Sequence, residues 1–179
     1  MKQTIGFLEY RSIAIGVEAT DAMLKSGNVQ LVYQNILCPG KYVVMITGDV
    51  GAVKAAIEVG KLFDSATYLD SVVIPNIHPT VLPALTGTTP AIIHNTLGIV
   101  ETMNDASCIN GADTAVKSGK VDLLEIRLSR GMGGKCFFYL CGELEAVKSA
   151  VKSAANLLGS DGLLIATSVI ASPHKDLNI

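Results

Sequence analysis

The strongest constraint on this chain is an internal duplication. Gly6-Phe7-Leu8-Glu9 returns as Gly98-Ile99-Val100-Glu101, 92 positions on. Asp21-Ala22-Met23-Leu24-Lys25-Ser26-Gly27 returns at the same distance as Asp113-Thr114-Ala115-Val116-Lys117-Ser118-Gly119. The distance grows to 94 after the next loop, where Gly40-Lys41 and Gly48 match Gly134-Lys135 and Gly142. It is 96 near the ends, where Val73-Ile74 and His78 match Val169-Ile170 and His174. Such small shifts place insertions in loops, where they are tolerated. The period far exceeds the roughly 20 to 50 residues of a solenoid repeat. The chain, 179 residues long, is therefore a small domain duplicated whole.

Each half gives the same order of elements. Thr4 to Glu9 is predicted as a strand. Ser12 to Ser26 is predicted as a helix, with Ile13, Val17 and Leu24 on its apolar face and Gly27 at its C-terminal cap. Val29 to Leu37 follows as a strand. Tyr42 to Thr47 is a continuous β-branched strand, expected to be buried on both faces. Asp49 to Leu62 is a second helix whose start Asp49 can cap or stabilise by charge. Ser71 to Pro75 is a last strand, and His78 to Leu85 comes after it. The order β-α-β-β-α-β predicts an α+β fold of two tandem ferredoxin-like domains. Their boundaries are expected at 1–88 and 96–179. The linker is the turn-rich "TGTTPAIIHN", Thr86 to Asn95, and its His94 carries no assignment.

Composition narrows the setting. The apolar fraction is 49% and mean hydropathy is +0.43. No run approaches the 18 to 20 apolar residues, roughly, of a spanning helix. The N-terminus meets Glu9 and Arg11 too early for a signal-peptide core. A protein off the membrane that buries surface against copies of itself is the remaining explanation. A net charge of -2 without a basic run argues against nucleic acid. None of the four cysteines lies in a Cys-x-x-Cys pair. Cys108, Cys136 and Cys141 are read as core residues, the last two on opposite faces of one strand. Cys38 differs, because it precedes Pro39-Gly40 in a loop whose repeat partner, Ser129 to Gly134, has no cysteine. Gly131, Gly133 and Gly134 precede a strand and open no helix, so they are a poor phosphate loop. No clustered acid–base pair, nucleophile elbow or zinc spacing occurs, and the chain is not read as an enzyme.

"GFLEYRSIAIGVEATDAMLKSGNVQLV", "GKYVVMITGDVGAVKAAIEVG" and "VVIPNIH" resemble the shell-protein domain of bacterial microcompartments. Two copies in one chain resemble the tandem-domain trimeric shell proteins. The loops "ILCPGK" and "RGMGGKC" are most similar to those of the cluster-binding tandem shell proteins of propanediol-utilisation compartments.

The resemblance implies a pseudo-hexameric homotrimer, a flat tile with six domains around a three-fold axis, placed in a microcompartment shell in the cytoplasm. It implies that Leu37, Cys38, Pro39 and Gly40, with Arg130, Gly131, Met132, Gly133 and Gly134, line a central pore. It implies that Cys38 from three subunits ligates one [4Fe-4S] cluster per trimer, serving electron transfer or cluster supply across the shell. Expected partners are other microcompartment shell proteins and a redox enzyme in the lumen or the cytosol. Lys25 and Lys117 are placed at the tile edge, with His78 and His174 as edge or capping residues. Asn76 and Ser172 stand where the family often has an edge arginine. Two other readings stay open: a plain metabolite pore without cluster, and a tandem ferredoxin-like regulator that binds a small ligand.

Overall fold

A computed structural model describes residues 3–90, 92–160 and 162–177. The chain divides into two compact units, Met1–Ile77 and His78–Ile179.

In the first unit, β1 (Thr4–Tyr10), α1 (Ile13–Lys25), β2 (Val29–Leu37), β3 (Lys41–Gly48), α2 (Val50–Phe63) and β4 (Tyr68–Ile74) follow the expected order. The strands form one antiparallel sheet, β2-β3-β1-β4. This is the ferredoxin-like arrangement, with the first and third strands in the centre. The central strands β1 and β3 are buried almost throughout. Leu8, Tyr10, Val44 and Ile46 form a core with Ala19 and Met23 of α1 and Val53, Ala56 and Ile57 of α2. Gly6 lets α2 approach, since a Cβ there would meet Ile57 Cγ1 at 2.6 Å.

The apolar face of α1 is not the expected one. Its buried residues are Gly16, Ala19, Thr20 and Met23, whereas Ile13 is 40% and Val17 52% exposed. Small residues face inward because α1 lies close: a Cβ at Gly16 would stand 2.5 Å from the Tyr42 ring. Thr20 Oγ1 donates to Gly16 O at 2.7 Å, so its buried hydroxyl is satisfied. Ser26, not Gly27, closes the helix, with its N–H and Oγ both on Met23 O. Asp49 occupies the cap position of α2, but its side chain makes no capping hydrogen bond.

The second unit opens with α3 (Val81–Thr86). Then come β5 (Thr96–Thr102), α4 (Asp105–Ser118), β6 (Val121–Arg127), β7 (Cys136–Gly142), α5 (Leu144–Ser160) and β8 (Leu164–Ile170). Its sheet, β6-β7-β5-β8, repeats the first topology. The duplication extends to irregularities. Register shifts at Glu9/Tyr10 and Leu31/Tyr33 recur at Glu101/Thr102 and Leu123/Glu125. The segment after His78, read from sequence as the tail of the first half, packs here against β6 and α4. No helix among the described residues is long and apolar enough to cross a membrane.

Candidate functional site

Two loops join the second and third strands of the two halves. In the first, Gly40 N–H donates to Leu37 O at 2.7 Å, closing a turn around Cys38 and Pro39. Gly40 has φ +99°, which favours glycine. Leu37 is buried and roots the turn, Cys38 is half-buried, and Pro39 and Gly40 are exposed. The Cys38-Pro39 peptide is cis. The loop exit is held by a buried ion pair: Lys41 Nζ donates to Glu9 Oε2 at 2.7 Å, with side chains 8% and 1% exposed. Glu9 faces Val43 across the ladder, and Lys41 is the next residue on that strand face, so the pair is diagonal.

The second loop is built differently. Gly131, Gly133 and Gly134 all have positive φ, a backbone conformation that favours glycine. Arg130 is exposed and Met132 half-buried. Its anchor is Asp105, fully buried at the start of α4. Asp105 Oδ1 accepts from Ser129 N at 2.7 Å and from Cys136 Sγ at 2.8 Å, and Oδ2 accepts from Ser129 Oγ at 2.9 Å. One carboxylate thus ties both loop ends to a helix. The repeat counterpart of the Glu9–Lys41 pair, Glu101–Lys135, is a loose contact at 3.9 Å, 39% and 56% exposed.

No disulfide joins the four cysteines. Cys108, Cys136 and Cys141 are buried, and Cys38 is the more accessible one. Cys108 lies in α4, and Cys136 and Cys141 at opposite ends of β7.

Lys25 and Lys117 end α1 and α4. Lys25 Nζ pairs with Asp21 at 2.6 Å in an exposed bridge. Lys117 pairs with Asp113, whose side chain is 5% exposed. Asp113 Oδ1 also accepts the His78 N–H at 2.7 Å, and His78 Nδ1 lies 2.8 Å from Thr80 Oγ1. His174 side chain is 74% exposed, with Nδ1 3.6 Å from Asp176. Asn76, where the edge arginine is absent, adopts φ +52°.

Sequence reasoning missed a second grouping. His94, Asp122 and Cys141 meet at the end of the second sheet, their ligand-type atoms all within 4.8 Å of one another. Asp122 and Cys141 are cross-strand partners, so the register could have paired them, but the linker position of His94 left no signal.

Comparison with known proteins agrees with this architecture. The BMC domain family matches residues 4–77 and 96–173. The bacterial microcompartment shell protein PduT of Citrobacter freundii is 46% identical over 177 residues, which is 99% of this chain and 96% of that protein. A crystal structure of a microcompartment protein from Desulfitobacterium hafniense DCB superposes with TM-score 0.89 at 45% identity, covering 97% of each chain. A fused permuted hexameric shell protein of the RMM microcompartment, MSM0275, shares the fold at TM-score 0.65 and 21% identity, over 87% of this chain and 81% of that one. The chain belongs to the BMC-domain family of bacterial microcompartment shell proteins, with one copy of the domain in each half.

Proposed function

We propose that the protein is a trimeric shell tile whose three Cys38 side chains hold a [4Fe-4S] cluster at the three-fold axis. The carrying observation is the contrast between the loops. One copy of the fold places a half-buried cysteine at its turn, and the other places glycines at positive φ in the corresponding, longer loop. The fold therefore does not require Cys38.

Cysteine thiolate is the usual ligand for such clusters. The other three cysteines are buried in α4 and β7. A single chain supplies one loop thiolate, so a cluster needs several copies brought together by symmetry. Three thiolates leave the fourth iron without a protein sulfur. Leu37, Gly40 and the Glu9–Lys41 pair hold the Cys38 turn in place. A bound cluster supplies one-electron transfer, or cluster for repair, across the shell. Arg130 to Gly134 complete the pore rim, and other shell proteins and a redox enzyme on one side of the shell are the partners this role implies. The test is anaerobic purification with visible absorption and iron analysis. About four irons per trimer with broad brown absorbance support the reading. Colourless, iron-free protein returns Cys38 to a side chain of a plain pore.

Trimer closure has its own support. Outward-facing Ile13, Val17, Leu31 and Ile36 give the first unit the apolar flank that a ring member needs. Asp113 takes the His78 N–H, and the duplicated pair is Asp21 and His174. We propose that the His174 N–H of one copy docks on Asp21 of the next, while Lys25 stays at the tile edge. A hydrogen bond to a charged group is worth about 1.5–3 kcal/mol. Asp21→Ala is therefore expected to raise the trimer dissociation constant at least about tenfold by analytical ultracentrifugation. Lys25→Ala should leave the trimer intact and reduce two-dimensional sheets in electron micrographs. The reverse pattern would exchange the two assignments.

A further inference from the structure

We propose that His94, Asp122 and Cys141 form a binding site for a divalent transition ion of the zinc class. The site lies wholly within the second unit and stands independently of any cluster at Cys38.

The geometry begins with register. Asp122 on β6 and Cys141 on β7 face each other across the ladder. His94 is brought beside them by the residue that follows it. Asn95 takes φ +58°, bridges to Gly142, and donates through Nδ2 to Glu143 at 2.8 Å. The imidazole then lies between the other two groups. Its Nε2 is 3.7 Å from Cys141 Sγ and 3.1 Å from Asp122 Oδ2, while Nδ1 is 3.3 Å from the sulfur.

Bond lengths of about 2.3 Å to sulfur and about 2.0–2.2 Å to nitrogen and oxygen put tetrahedral ligand atoms roughly 3.4–3.6 Å apart. The distances at Nε2 bracket that value. One thiolate, one imidazole and one carboxylate form a borderline-soft set that suits zinc better than magnesium or calcium. His94 and Asp122 side chains are 49% and 69% exposed and Cys141 is fully buried, so the sulfur forms the floor and an ion enters past the other two. The fourth position faces solvent.

The other copy of the fold is the internal control. The same cross-strand slot there holds Gln30 opposite Thr47, and Thr47 Oγ1 donates to Thr4 O at 2.9 Å. Neither the sheet nor the register needs a ligand set at this place. A nucleophilic thiol is excluded on access. Cys141 is fully buried, and burial pushes its thiol pKa up, a cost that metal binding has to offset. Metal binding removes that proton: the S–H bond breaks, a sulfur–metal bond forms, and H+ leaves to solvent. No electrons change hands.

The test titrates Co2+ into full-length Cys38→Ser protein under nitrogen, so that the pore loop contributes no thiolate. One Co2+ per chain with a thiolate-to-cobalt charge-transfer band, displaced by Zn2+, is the expected result. Cys141→Thr carries the residue of the first repeat and should abolish the band. His94→Gln and Asp122→Asn change exposed side chains and should each weaken binding by at least about tenfold, since even outer partners of metal ligands cost 10- to 100-fold. Melting temperatures without metal show that each variant folds. Absence of a stoichiometric band, or a band that His94→Gln and Asp122→Asn leave unchanged, overturns the proposal.

Discussion

Cys38→Ser protein purified without air is expected to contain no stoichiometric iron and no visible colour, yet to sediment as the wild type does. Serine keeps the size of the side chain and removes the sulfur on which iron binding depends. The oligomer should survive because the turn has anchors of its own in the neighbouring residues. Leu37 roots it, Gly40 closes it, and Lys41 is fixed on Glu9. In the proposed trimer the effect on iron should be all or none, because its three ligands would be lost together. Iron analysis and ultracentrifugation of the same preparation decide it. Iron retained in the variant would move the cluster away from this loop. Loss of the trimer would show that Cys38 builds the ring as well.

The second large effect is expected at the foot of the same loop. Lys41→Met keeps the aliphatic stem and deletes the ammonium that pairs with the buried Glu9 carboxylate. Breaking a buried pair from one side costs about 3–5 kcal/mol. A domain's whole stability is about 5–15 kcal/mol, so the first unit should lose about a fifth of it or more. Lys135→Met removes the matching lysine of the exposed pair and should cost within about 1 kcal/mol. Denaturant unfolding at equal protein concentration compares them, since assembly also stabilises by mass action. Equal, small losses would mean that Glu9 is served by other groups.

These two positions also show where sequence reading succeeds and stops. The central strands were legible because a β-branched run buried on both faces permits little else. The first loop was legible as a loop because Pro39-Gly40 admits no continuing strand. The face of α1 was misread by the ordinary logic of large apolar residues. Close packing on Tyr42 selected Gly16, Ala19 and Thr20 for the interior and turned Ile13 and Val17 outward. The Glu9–Lys41 pair spans 32 positions and the Asp105–Cys136 contact spans 31. Both depend on which strands and helices come together, and that information is absent from local pattern. His94 was opaque for the same reason. Its neighbours arrive from two strands, and a turn-rich linker marks a turn without saying where it aims a side chain.

The unlike anchors of the two loops have a consequence for counting. A ring of six identical domains must present any loop side chain six times around its axis. Six thiolates exceed what one four-iron cube can take. Fusing two copies lets the loops be specified separately, one by a buried ion pair and one by Asp105. If the ring closes in threes, Cys38 appears three times and the intervening positions carry glycine. Duplication then acts as a divider: it halves the number of groups at the axis while leaving the outline of the tile unchanged.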